Sequence, residues 1–287
     1  MSFNARSTRR STKSQHTGGT SWASESAPTD TEIAQERPSN LREPQLPSLS
    51  IHLEFSEFKR RNVYASNEEQ VKSDVIPIIL GREYMPSGQN HVFNDMEPII
   101  PDVTTAKPDY YNGTVPEKIH TRIRRDLNKY IVPCTDTSRP AAPNFFGEVK
   151  GPDGSARVLM LQIKRDLDYG ARAMHKLQSY GEMEPVYDRK AHTFGFTYHG
   201  GQGTAYLQLY ATHLERPERI GERPKYCTSK VMGFDLDDNL DTYWRGVSEL
   251  RNIKELAEEH RNEIILGANT IADLRVDEEA ETESDNS

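Results

Sequence analysis

Two acid-bearing segments hold the residues best suited to chemistry in this chain. Pro108-Asp109 ends one strand-like run, and Glu148-Val149-Lys150 lies inside another. On neighbouring strands, Asp109 and Glu148 would present two carboxylates at one spot, with the Lys150 ammonium beside them. Oxygen ligands of this kind suit Mg²⁺ or Mn²⁺, which usually keep several waters and take one or two carboxylates from a protein. A lysine next to such an ion can orient an attacking water or offset charge on a pentavalent phosphorus. Together these groups are the minimum kit for metal-assisted phosphodiester hydrolysis, with DNA or RNA as the substrate class.

Composition limits where the elements that position them can lie. The chain has 287 residues, 34% hydrophobic and 28% charged, and these values average unlike regions. Up to about Pro47 the sequence is Ser, Thr, Arg, Gln, Glu and Pro with almost no apolar periodicity. Such a stretch buries too little surface to offset its ordering entropy, so residues 1–49 read as a disordered arm. Residues 273–287, ending in VDEEAETESDNS, read as a solvated acidic tail by the same reasoning. Residues 50–272 are enough for one domain with a single core.

The net charge of −8 argues against coating nucleic acid non-specifically, because such binding draws on Lys and Arg releasing counterions from phosphates. Basic residues open the chain (Arg9, Arg10, Lys13) without an apolar run behind them, so no secretory signal is expected and the charge reads as solvated. No stretch is long enough to span a bilayer, so no membrane partner is expected. Cys134 and Cys227 fall far short of a disulfide framework and read as reduced thiols, which fits a cytoplasmic or nuclear location.

Ser66-Asn67-Glu68-Glu69 has the form of a capping box, with Ser66 and Glu69 exchanging bonds. Val71, Val75, Ile78 and Ile79 then recur at helical spacing, and Pro77 should kink or shorten that helix. His91 to Ile100 and Thr104 to Tyr111 read as two strands joined at Pro101-Asp102, the second ending at Asn112-Gly113. Thr114 to Glu117 forms a second capping box for a helix through Ile131, with an apolar stripe (Ile119, Ile123, Leu127, Ile131) and a basic face (Lys118, Arg122, Arg125, Lys129).

Asn144 to Lys150 reads as a strand with Phe146, Glu148 and Lys150 on one face and Phe145, Gly147 and Val149 on the other. Ser155 should cap the next helix, whose apolar positions are Leu159, Ile163, Leu167, Ala171 and Met174, and which carries Gln162 near its start. Thr193 to His199 and Thr204 to Tyr210 form a hairpin, Tyr226 to Met232 a further strand, and a terminal helix from Asp241 buries Trp244, Val247, Leu250 and Leu256 or Ala257.

The order helix, strand, strand with Pro-Asp, strand with Glu-x-Lys, helix resembles the core of the PD-(D/E)XK nuclease-like superfamily. The phrasing of Lys107 to Gly113 (KPDYYNG), Asn144 to Ser155 (NFFGEVKGPDGS), Gly170 to Gly181 (GARAMHKLQSYG) and Tyr198 to Gly201 (YHGG) is similar to a large family of uncharacterised filamentous-fungal proteins with this nuclease-like fold. That similarity runs from about Ser66 to Ile265. It implies an α+β fold with a mixed sheet flanked by helices.

Carried over, the resemblance makes Asp109, Glu148 and the Val149 carbonyl metal ligands for Mg²⁺ or Mn²⁺, and Lys150 the group that positions water. Gln162 falls where the superfamily often places a helix glutamine, and Glu68 or Glu69 where some members add an acid. The 39 positions between Asp109 and Glu148 require an excursion between the two strands. Many members of the fungal set have a non-acidic residue at the position of Glu148, so a catalytically inactive binding or scaffold protein is the alternative expectation. A third is a plain structural ion pair between Glu148 and Lys150. His175, His192, His199 and His213 lack tight metal-ligand spacing and read as hydrogen-bonded polar residues. The glycines of Gly200 to Gly203 read as a hairpin turn rather than a phosphate loop.

Overall fold

Residue 108 is a proline that cannot donate to a sheet, and the sheet strand in question starts just beyond it, at Tyr110. The computed structural model describes residues 49–285, apart from 83, 101–104, 137 and 220, all within the unit Asn40–Ser287. Of the expected arm over residues 1–49, residues 1–48 lie outside the described residues, as does the turn at Pro101-Asp102, and Leu49 is helical. The helices that precede the sheet are α1 (Leu49–Tyr64), α2 (Glu68–Gln70), a π-helical segment (Val71–Val75) and α3 (Ile76–Leu80). The short β1 (Ser87–Gly88) and β2 (Tyr110–Thr114) follow. A 3₁₀ turn (Pro116–Lys118), α4 (Thr121–Asp126) and α5 (Asn128–Ile131) then lead to β3 (Ala141–Lys150). After β3 come α6 (Ala156–Gln178), β4 (Thr193–Gly201), β5 (Thr204–Glu215), β6 (Lys225–Asp235) and α7 (Leu240–Asp285).

The six strands lie in chain order, β1 to β6, in one open mixed sheet. Neighbours are antiparallel except β3 and β4, which run parallel. That parallel pair needs a crossover, and α6 supplies it. The fold is therefore α+β, a mixed sheet flanked by helices.

Alternation along β3 divides the core in two. Phe145 and Val149 join a cluster with Phe58, Val71, Val75, Ile79, Phe196, Leu207, Val247 and Leu250. Phe146 joins the other with Tyr111, Ile163, Leu167, Ala173 and Met174. Each fully buried side chain of this size contributes roughly 1.5–3 kcal/mol. Gly170 allows α6 to press onto β3, since a Cβ there would sit 2.5 Å from the Phe146 ring and 2.8 Å from the Thr193 methyl. Ser155 caps α6 as expected, its hydroxyl accepting from the Val158 amide at 3.4 Å.

Several local expectations are corrected. His91 to Ile100 is irregular rather than a strand; Pro98 lacks a donor, and the segment instead offers the Glu97 and Pro98 carbonyls to Arg172. Asn112-Gly113 is not a turn but the buried interior of β2, where the pairing with β3 shifts register. Gly113 is needed there because a Cβ would lie 2.4 Å from the Ala141 carbonyl oxygen.

The second capping box does not form. Val115 makes no side-chain cap, and the expected helix splits at His120, whose Nδ1 accepts from the Arg122 amide, and again at Leu127. In α7 the buried aromatic is Tyr243, with Trp244 only half-buried, because Tyr243 packs on Phe55 and Phe58 and donates to Glu54. The helix backbone continues to Asp285, through the acidic stretch beyond residue 272. Among the described residues no helix is long and apolar enough to cross a membrane.

Candidate acidic site on β3

Tyr110 pairs with Gly147, so the residue before β2, Asp109, stands beside Glu148 and Val149. Its Oδ2 accepts from the Val149 amide at 2.9 Å, fixing the carboxylate against β3. The excursion between the two strands is made by the 3₁₀ turn, α4, α5 and the Pro-rich loop.

Glu148 lies in the sheet interior with no exposed surface, under α6. On that helix Asp166 is likewise fully buried, one turn before the Gly170 contact. Neither carboxyl has an N–H or hydroxyl donor among the described residues. They approach one another closely enough that a shared proton is the hydrogen bond left to them, and burial, then the charge of Asp166, holds the Glu148 carboxyl protonated far above its ordinary range. Burial also raises Asp166. Two carboxylates in one dry site cannot both ionise without a compensating cation.

Arg165 places Nε 3.9 Å from Asp166 Oδ1, and two lysines hold the neighbouring acids. Lys150, two residues along β3, places Nζ 3.1 Å from Glu68 Oε2 and 3.1 Å from the Val149 carbonyl oxygen. Lys72 bridges Glu68 Oε1 at 2.7 Å and Asp109 Oδ1 at 2.8 Å. Burial works against the Lys72 charge, but its hydrogen bonds to Asp109 and Glu68 win and hold it firmly protonated. Burial likewise pushes Glu68 up, yet the bonds from Lys72 and Lys150 leave it below the usual carboxylate range.

Glu68 reaches this position through a cap one residue later than expected. Asn67 accepts from the Gln70 amide at 3.0 Å, while Gln70 Oε1 takes the Ser66 amide and hydroxyl at 2.8 and 2.9 Å. The box thus runs from Ser66 and Asn67 to Gln70, which leaves Glu68 available for the lysines. Beyond it Pro77 has no amide for the carbonyl of Ser73, and the chain widens into the π turn that carries Lys72, a device frequent at functional sites. The start of α2 also touches the end of β3: a Cβ on Gly151 would lie 2.6 Å from the Glu68 amide nitrogen.

Of the residues expected in the site, the structure gathers Asp109, Glu148, Val149, Lys150 and Glu68. Gln162 lies one turn before Asp166 on the same side of α6, with its Oε1 buried and without a partner. Glu69 reaches only Lys72, at 3.5 Å, and its side chain is 83% exposed. Two members were not anticipated. Asp166 falls on the apolar stripe of α6 between Ile163 and Leu167, and an acid on a core-facing stripe was the readable signal. Lys72 sits one turn after Glu68, a spacing shared with many solvated ion pairs.

All the donor atoms are oxygens, the type a hard divalent cation takes, and the four carboxyl oxygens of Glu148 and Asp166 lack N–H donors among the described residues, but no three of these acids bring one oxygen each within 4.8 Å of one another. The Lys72 ammonium is the competing occupant for Asp109 and Glu68. A scan against family models and searches of curated proteins and of solved structures return no match for this chain.

Proposed function

We propose that the chain is a Mg²⁺- or Mn²⁺-dependent phosphodiesterase acting on DNA or RNA, built on a PD-(D/E)XK nuclease-like core. The observation that carries this reading is the buried Glu148–Asp166 carboxyl pair, deprived of donors, beside Asp109 and Lys150. Further support comes from the arrangement of a helix, the Asp109 turn into β2, the Glu148 strand and a helical crossover to a parallel neighbour.

Asp109, Glu148 and the Val149 carbonyl would hold the ion, which when bound supplies Lewis-acid stabilisation of charge on the phosphate oxygens. Glu148 and Asp166 would give up their shared proton to solvent to act as ligands. Lys150, held by Glu68 and its own strand, keeps an ammonium at fixed position to orient water and offset phosphate charge. Glu68 acts through the two lysines as a positioning residue. Gln162 offers a carbonyl oxygen without a partner to the same space.

Labelled single- and double-stranded DNA and RNA incubated with purified protein test the reading. Cleavage should need Mg²⁺ or Mn²⁺ and vanish in Asp109→Ala and Lys150→Ala. Equal cleavage by those variants identifies a contaminating enzyme and ends the proposal.

One observation favours a second reading, a nuclease-like fold that binds or scaffolds without turnover. Lys72 already sits between Asp109 and Glu68 as a cation would. Calorimetric titration separates the two readings: no Mg²⁺ or Mn²⁺ binding by the natural chain, restored in Lys72→Ala, supports the inactive form. Binding that is lost in Glu148→Ala counts against it.

A further inference from the structure

The outer strands carry a second constellation, of different chemistry. His213 and Glu215 are two apart on β5 and so share a face, and His213 pairs in register with Cys227 on β6. One ligand atom from each of His213, Glu215 and Cys227 lies within 4.8 Å of the others. A tetrahedral ion with ligands at about 2.0–2.3 Å spaces them roughly 3.3–3.8 Å apart, so small side-chain rotations close the gap. His213 Nε2 and Glu215 Oε1 are already 3.8 Å apart.

Two details point to a ligand rather than to packing. His213 is only 8% exposed, yet its Nε2 is buried without a hydrogen-bond partner. At 3.8 Å the Glu215 oxygen is too far to satisfy it. Glu215 is also arranged for division of labour, with Oε2 3.4 Å from Lys225 Nζ and Oε1 on the His213 side. The Cys227 thiol donates to the same carboxylate. Neither cysteine is in a disulfide.

We propose that His213, Glu215 and Cys227 form a three-ligand site for a borderline-soft divalent transition-metal ion such as Zn²⁺. Imidazole, thiolate and carboxylate are the donors such an ion takes, whereas Mg²⁺ and Ca²⁺ do not choose sulfur. Binding forms the metal–sulfur bond as the Cys227 thiol gives its proton to solvent. Glu215 and Cys227 are half-buried, which leaves the ion a route in and a fourth position for water or another ligand.

The site is separate from the acidic one. Glu148 is level with Thr197 on β4 and Gln208 on β5, and His213 lies five residues further along, roughly 16 Å at 3.3 Å per residue. The sequence reading missed it because the ligands are spaced through strand pairing rather than along the chain.

Titrating the purified full-length protein with Co²⁺ should give a thiolate-to-cobalt charge-transfer band that Zn²⁺ removes. The band should disappear in Cys227→Ser and His213→Ala and persist in Asp109→Ala and Glu148→Gln. In the natural chain, Zn²⁺ should also slow alkylation of Cys227 at least about tenfold, read by mass spectrometry against Cys134 as internal control. That measurement needs no variant to fold. Absence of the band, its survival in Cys227→Ser, or an alkylation rate indifferent to Zn²⁺ overturns the proposal.

Discussion

Asn144 and Glu148 lie four residues apart on β3, both without exposed surface, and the fold treats them oppositely. Asn144 Nδ2 donates to the His192 carbonyl at 2.8 Å and the Ala257 carbonyl at 2.7 Å, while its Oδ1 accepts from Arg261. Its amide locks β3 to the start of β4 and to α7. Glu148 has no N–H or hydroxyl donor among the described residues and is left to share a proton with a second buried acid. The same strand can thus satisfy a buried polar side chain where the architecture calls for it. Buried polar groups are hydrogen-bonded almost everywhere in proteins, so an exception at Glu148 points to a task other than holding the strand.

The comparison breaks most visibly in activity. If Glu148 and its neighbours are for chemistry, Asp109→Ala or Lys150→Ala lowers metal-dependent cleavage by about 100-fold or more, the scale of losing one charge-stabilising group. Asn144→Ala should act on stability instead. It strands the Arg261 guanidinium in the interior and removes two carbonyl partners, so denaturant unfolding should show a loss of about 3 kcal/mol or more.

Glu148→Gln sharpens the contrast through pH. The folded carboxyl holds its proton above the ordinary value of 4.5 because burial and then Asp166 disfavour its charge. Between that ordinary value and the raised one, the folded state binds a proton that the unfolded state has lost, so stability is full below pH 4.5 and falls as pH rises. Glutamine has no such titration. The variant should come nearest to the natural chain at pH 4.5 and below and exceed it increasingly as pH rises, by up to about 1.4 kcal/mol per pH unit, in metal-free urea melts. A variant less stable at every pH would mean that Glu148 is a structural ion-pair partner after all. The smallest effect is expected at the cap: Asn67→Ala should cost about 1 kcal/mol of stability and lower cleavage modestly, through Glu68 and the lysines it holds.

Much of this was legible in the chain because it depends on local periodicity. The alternation through Phe145, Phe146, Glu148 and Val149 reports which residues share a face and the stripe from Leu159 to Met174 which helix face is buried, and the structure follows both. Pro108-Asp109 and Glu148-x-Lys150 were readable as residue types, and strand pairing then brings them together. What escaped depends on contacts remote in sequence. The stretch from His91 to Ile100 has strand-like composition but gives its carbonyls to Arg172. The Asn112-Gly113 pair has turn chemistry, yet the glycine serves the close passage of β3. Lys72 and Asp166 enter the site only because a π turn and the Gly170 contact aim them there.

The contact between Gly151 and the first turn of α2 has a consequence for how substrate is chosen. With the end of β3 seated against the Glu68 backbone, the acids and lysines come from abutting pieces of framework, and no lid has to fold over to complete them. In the nuclease proposed above, discrimination between polymers would be exercised at the approach, by which strand geometry can reach down to a rigid floor. An alanine at position 151 would wedge that floor apart, and selectivity should persist in whatever turnover survives.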